Sequence, residues 1–213
     1  MIMQNGGKMF NEDNTEVLFN SEEGIGAMQF LVDLVESGAA KVQSWEEGRT
    51  EFFNGNVAFM EDSNGSLSGV LNNSEFKVGV IHLPWGKNAV TTIGGGTMGI
   101  FNNDMKEYSW DFLKFMTSPE SVSRIAADTG YMPNSTLAME VDPLKEKIEN
   151  DEYTPLLLES LPYTSTRPMI DGYSEIEQLI RNAIEEACML QKSAADAMNE
   201  AAEGAAEVLA NID

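Results

Sequence analysis

Three short apolar runs, Val57-Ala-Phe-Met60, Lys77-Val-Gly-Val-Ile81 and Thr97-Met-Gly-Ile-Phe101, alternate with segments whose apolar residues recur at helical spacing. Runs of this length, bounded by Asn, Gly and Pro, have the composition of buried strands, and their alternation with helices restricts the chain to an α/β architecture. The helical segments carry start and stop signals. Asn20 with Glu23 reads as a capping box, followed by a stripe of Ile25, Met28, Leu31 and Val35 until Gly38 takes a left-handed carboxyl-terminal position. Residues 45–53 read as a short helix stopped by Asn54-Gly55. Asn103 is placed to cap a helix bearing Met105, Tyr108, Phe112 and Phe115 on one face, and Ser118-Pro119 opens another that stops at Gly130. From Ser174 to Asp213 the pattern is helical, with a break near Gln191 and a restart at Ser193. Ile176, Ile180 and Ile184 form one stripe there, and Ala194, Met198, Ala201, Ala205 and Leu209 the next. Residues 62–69 read as too small and polar for a core, and residues 141–171 as a long irregular segment of the kind that often carries function.

The charge excludes several partners. Across 213 residues, 35 Asp+Glu stand against 13 Lys+Arg, a formal charge of −22, so nucleic acid and anionic membrane surfaces are repelled. No run approaches the roughly 20 apolar residues of a membrane-spanning helix, and residues 1–7 have neither the basic start nor the apolar core of a signal peptide. Cys188 is the single cysteine, which leaves no internal disulfide and no cysteine-based metal cluster. The single histidine, His82, sits in the apolar stretch Val-Gly-Val-Ile-His-Leu-Pro and reads as a strand residue rather than the base of a triad. No cofactor is implied.

Four small features can face a ligand. Gly94-Gly95-Gly96 allows close backbone approach, with amides free to meet an anion or hydroxyl; its plain alternative is a tight turn entering a strand. Ser63-Asn64-Gly65-Ser66 offers hydroxyls and amides, or is a simple turn. Tyr131 follows a helix end, where its ring can stack on a sugar, or it is a core tyrosine. Arg167, in Leu161-Pro-Tyr-Thr-Ser-Thr-Arg-Pro168, carries a fork suited to carboxylate, phosphate or paired sugar hydroxyls, or is a structural ion pair in an acidic chain.

In order along the chain, Asn20-Ser-Glu-Glu-Gly-Ile, Phe53-Asn-Gly-Asn-Val-Ala-Phe-Met60, Val78-Gly-Val-Ile-His-Leu-Pro84 and Ile93-Gly-Gly-Gly96 are followed by Trp110-Asp-Phe-Leu-Lys-Phe-Met-Thr-Ser-Pro-Glu120, Thr129-Gly-Tyr-Met-Pro133 and an alanine-rich final helix. Each is common alone, but the ordered set resembles the extracellular solute-binding proteins of ABC importers. The likeness is greatest to the glycerol-3-phosphate-binding branch, which has counterparts of Ser63-Asn-Gly-Ser66, Gly94 to Gly96, Tyr131 and Arg167; the flanks of Arg167 also fit oligosaccharide-binding branches. The resemblance implies a periplasmic-binding-protein-like (type II) α/β fold whose two lobes close on a ligand, with no catalysis. Arg167 would hold its anionic or most polar end, Gly94 and Gly95 amides with the Ser63 and Ser66 hydroxyls would cradle it, and Tyr131 would cover a face.

Family members are about twice as long. By the same resemblance, residues 1–97 and 141–213 correspond to the carboxyl-terminal lobe, and residues 98–140 to a segment that completes the amino-terminal lobe, most of which lies before this sequence. The face formed by Tyr108, Phe112, Phe115 and Ile125 is then expected to be exposed and to favour a homodimer. The implied partners are a sugar or glycerol phosphate and a membrane permease. The implied location is extracellular, as a membrane-anchored lipoprotein, or periplasmic. Two other readings stay open: a carbohydrate-active enzyme using two carboxylates, and a structural interaction domain.

Overall fold

The computed structural model describes residues 1–212; Asp213, the last residue of the predicted helical tail, lies outside them. Among the described residues the elements in chain order are α1 (Glu22–Glu36), α2 (Trp45–Phe53), α3 (Leu67–Asn73), β1 (Thr91–Thr92), α4 (Lys106–Met116), α5 (Pro119–Thr129), α6 (Leu144–Asn150), α7 (Thr154–Leu158), β2 (Thr164–Ser165), α8 (Tyr173–Cys188) and α9 (Ala194–Ala210). They form two compact units: residues 1–44, 84–93 and 163–213 in the first, residues 45–83 and 94–162 in the second.

The first unit is built on α1, α8 and α9. Ile176, Ala183 and Ala187 of α8, Met28 and Val32 of α1, and Ala194, Ala197, Met198, Ala201, Ala202 and Ala205 of α9 share one buried cluster with Phe10 and Phe19. Alanine and glycine let the last two helices approach closely: a Cβ at Gly204 would stand 3.0 Å from Leu179 Cδ1. Ser193 opens α9 as expected, its Oγ accepting from the Asp196 N–H at 3.1 Å. At α1 the cap is one residue later than the sequence indicates. Ser21 Oγ accepts the Gly24 N–H at 3.3 Å, while the Asn20 side chain donates to Asn199 Oδ1 at 2.9 Å. The two-residue strands β1 and β2 pair in parallel, Thr91 with Thr164 and Thr92 with Ser165. Gln4 Nε2 ties the amino-terminal turn to the Val90 carbonyl at 2.9 Å.

The second unit has smaller cores. Phe52, Val70 and Val78 form one, and Ala126, Ala127 and Leu144 another. Buried Ser123 joins α5 to α6, donating to the Val141 carbonyl at 2.7 Å and accepting the Leu144 N–H at 3.0 Å. Ser118 and Pro119 start α5 as the sequence indicates, and Gly130 ends it at φ +92°.

Two expectations are corrected. The runs at 57–60, 77–81 and 97–101 form no ladder among the described residues, and Phe59 and Phe101 are 86% and 85% exposed. Strand formation requires lateral partners, which apolar composition alone cannot supply. Residues 62–69 contain no buried residue, in keeping with the expectation, and Ser63 caps a single turn that leads into α3, whose Val70 is core. The stretch 141–171 contains α6 and α7; Asp151 starts the latter by accepting from the Tyr153 and Thr154 N–H groups at 3.1 and 2.7 Å.

Candidate functional site

Within the second unit, the structure brings the Ser63–Ser66 turn and Tyr131 together. Ser63 Oγ accepts the Gly65 N–H at 3.3 Å, and the Ser66 N–H donates to the Ser63 carbonyl at 2.9 Å. Gly65 rests on the tyrosine ring so closely that a Cβ there would lie 2.5 Å from Cζ. Gly130 approaches the same turn, where a Cβ would lie 2.7 Å from the Asn64 carbonyl oxygen. The Ser68 hydroxyl adds a bond to the Asp128 carbonyl at 2.9 Å. Tyr131 remains half exposed, with one ring face on glycine. The arrangement holds hydroxyls, amides and an aromatic edge in one place, a set able to bind a polyhydroxylated molecule.

Sequence reasoning missed the support of this turn. Asp62 accepts the Ser63 N–H through Oδ1 at 2.7 Å, while its buried Oδ2 pairs with Arg49 Nε at 3.5 Å. The Arg49 guanidinium stacks 4.5 Å from the Trp45 ring centroid and 5.6 Å from that of Phe53. Trp45, Arg49 and Phe53 are spaced by four on α2, so this stack was readable from helical spacing; the carboxylate partner was not.

Gly94, Gly95 and Gly96 are exposed, with open space where a Cβ would stand. Gly94 comes two residues after Thr92 of β1, and Arg167 two residues after Ser165 of β2. The ladder extends one further bond past its last pair, from the Ile93 N–H to the Ser165 carbonyl at 2.9 Å. Arg167 belongs to the first unit and is exposed. It meets Glu177 at 3.5 Å, a carboxylate shared with Arg181 at 2.9 Å, which is the ion-pair alternative open from the sequence. Burial and then the Glu177 charge hold the nearby Tyr173 phenol above its ordinary range, with Arg167 and Arg181 pulling the other way. His82 pairs with Glu159 at 3.4 Å. Among the described residues, no cluster of three or more His, Cys, Asp or Glu is arranged to hold a metal ion.

Residues 1–152 match the family model of bacterial extracellular solute-binding proteins. The chain therefore belongs to that family. One relative is the sn-glycerol-3-phosphate-binding periplasmic protein of Pectobacterium atrosepticum, 25% identical over 208 aligned positions that cover 91% of this chain and 47% of that protein. Among solved structures, the cyclic α-maltosyl-1,6-maltose binding protein of Arthrobacter globiformis matches at TM-score 0.80 and 26% identity, over 99% of this chain and 54% of that one. UgpB of Mycobacterium tuberculosis, solved in complex with glycerophosphocholine, shares the fold at TM-score 0.81 and 19% identity, over 98% and 54%. The chain spans about half the length of the relatives it matches. The α/β, periplasmic-binding-protein-like class read from the sequence is thus the class of the protein.

Proposed function

We propose that this chain is part of the non-catalytic, substrate-capturing subunit of an ABC importer, working outside the cytoplasmic membrane and delivering a sugar or glycerol-phosphate type of ligand to a membrane permease. The observation that carries the reading is the family match over residues 1–152. The named ligands of the Pectobacterium, Arthrobacter and Mycobacterium proteins support the ligand class.

In this proposal the Ser63 and Ser66 hydroxyls, the Gly94 and Gly95 amides and the Tyr131 ring receive the polyol or sugar, and Arg167 takes an anionic end by exchanging Glu177 for it. By the family resemblance residues 1–97 and 141–213 belong to one lobe and residues 98–140 complete the other, and the ligand lies between lobes in the whole protein. That division differs from the two compact units in placing residues 45–83, 94–97 and 141–162 with the first lobe.

The test is thermal stabilisation of this chain by sn-glycerol 3-phosphate, glycerophosphocholine and maltose, since a ligand at about 100 times its Kd adds about 2.7 kcal/mol to the folded state. With half the length of its relatives, the chain is expected to bind in the millimolar range. Arg167→Ala is expected to abolish the shift given by the two phosphate compounds and to keep that given by maltose. No shift with any of the three at tens of millimolar removes the ligand class. Hydrolysis of a chromogenic glycoside overturns the non-catalytic reading.

A further inference from the structure

Two of the four arginines of this acidic chain close on one carboxylate. Glu177 Oε1 accepts from Arg181 Nη2 at 2.9 Å, one helical turn further along α8, and stands 3.5 Å from Arg167 Nη1, which reaches it from the segment after β2. All three residues belong to the first unit. Tyr173, Glu177 and Arg181 follow one another at intervals of four and so share a face of α8. The Tyr173 phenol lies in the same field: burial and then Glu177 raise its pKa, against Arg167 and Arg181. Within the triad, two guanidiniums face one carboxylate, an excess of positive charge in a chain whose 13 Lys+Arg are outnumbered by 35 Asp+Glu.

A carboxylate gripped by two guanidiniums marks where an anion sits. The two grips are unequal. The Arg181 contact has hydrogen-bond length, whereas the Arg167 contact is longer than an N–H···O bond, and both arginines are exposed. Exposed pairs of this kind contribute about 0–1 kcal/mol, so an incoming anion of higher charge can take the place of the Glu177 carboxylate. A phosphate monoester is mostly dianionic above its second pKa of about 6 and presents three terminal oxygens. A phosphodiester carries a single charge and two such oxygens. Two planar forks match the first and exceed what the second can use. We infer that Glu177 is a built-in competitor for the anion seat and that Arg181 is the second guanidinium of that seat, so that it selects a phosphate monoester over a phosphodiester. The inference rests on the proposed role of Arg167 and narrows the ligand class within it.

The experiment titrates sn-glycerol 3-phosphate, glycerophosphocholine and maltose into this chain at about pH 7.5, where the monoester is dianionic. The two phosphates are followed by phosphorus NMR and maltose by thermal stabilisation. Glu177→Gln, which keeps the shape of the side chain and removes its charge, is expected to bind sn-glycerol 3-phosphate about threefold to fivefold more tightly. Arg181→Gln, at an exposed position, is expected to bind it about threefold to fivefold more weakly, the range that an exposed charge pair supplies. The preference for sn-glycerol 3-phosphate over glycerophosphocholine is expected to narrow to under about twofold in Arg181→Gln, while the response to maltose stays unchanged in both variants. A triad that only braces α8 would alter stability and leave the ratio of the two phosphates where it was. Phosphate binding that is lost in Arg167→Ala but keeps its wild-type affinity in Glu177→Gln or in Arg181→Gln overturns the inference and leaves the role of Arg167 standing. Binding of glycerophosphocholine as tight as that of sn-glycerol 3-phosphate in the wild-type chain overturns the selection. Absence of binding of either phosphate at tens of millimolar, in the wild-type chain and in Glu177→Gln alike, removes the anion seat and with it the role of Arg167.

Discussion

Two glycines separate strain from collision. Gly130 and Gly55 both sit in the left-handed region, at φ +92° and +73°, but a Cβ at 130 would meet the Asn64 carbonyl oxygen at 2.7 Å, whereas at 55 it would meet nothing within 4 Å. Gly55→Ala is expected to cost about 1 kcal/mol in urea unfolding, the ordinary penalty of the conformation. Gly130→Ala is expected to cost about 2–3 kcal/mol, because the Ser63–Ser66 turn must also move off Tyr131. Equal losses would show that the turn yields freely and is no rigid part of a site. Asp151 has a pH signature. Burial works to raise its carboxyl pKa, but the Thr154 hydroxyl and the Thr154 and Tyr153 N–H groups outweigh it and hold the group below its ordinary value. Its contribution to stability is therefore present above the unfolded value, about 3.9, and is lost as pH falls through the lower folded one. Wild-type stability is expected to drop more steeply below about pH 4 than that of Asp151→Asn, compared by urea unfolding at pH 7 and pH 3.

Helices were legible because each satisfies its backbone locally, so caps and apolar spacing suffice. The restart at Ser193, the proline start of α5 and the buried stripe of α9 follow from residues at most four apart. The error at α1 has the same origin: Asn20 and Ser21 are both good caps, and a contact with Asn199, distant in sequence, decides between them. The three apolar runs were misread because strand pairing is a property of neighbours that a local pattern does not contain. In the candidate site, the Ser63 turn and Tyr131 were legible as residue types, but their meeting depends on Gly65 and Gly130, which read only as turn punctuation. The helical stripe makes a graded prediction. Ile176 is fully buried and Ile184 is 37% exposed, so Ile176→Ala is expected to cost about 2–5 kcal/mol and Ile184→Ala under about 1 kcal/mol in chemical unfolding. Comparable losses would mean that α8 packs both isoleucines, contrary to the structure.

At the scale of the molecule, cooperativity follows from how apolar burial is distributed. Thirteen buried residues form one cluster in the first unit, whereas the second divides its core between two clusters of three. Hydrophobic burial is the main favourable term in folding, so the second unit has less to set against its chain entropy and opens first. Heating is then expected to give two transitions, with chymotrypsin cutting after Phe59 and Phe101 in the lower one while α8 and α9 resist. Salt tests whether charge contributes to the gap. Raising ionic strength from 0.01 to 0.15 M shortens the screening length from about 30 to about 8 Å, which relieves repulsion among the 22 excess negative charges. Both transitions are expected to rise, by a few degrees at most, since about 1 kcal/mol moves a chain of this size by about 2–4 °C. Their order is expected to hold, because the difference lies in buried apolar groups that salt at this concentration does not alter. A single transition, with both regions cut at one temperature, would show that the small cores melt together with the large one and that burial counted unit by unit does not set the order of unfolding.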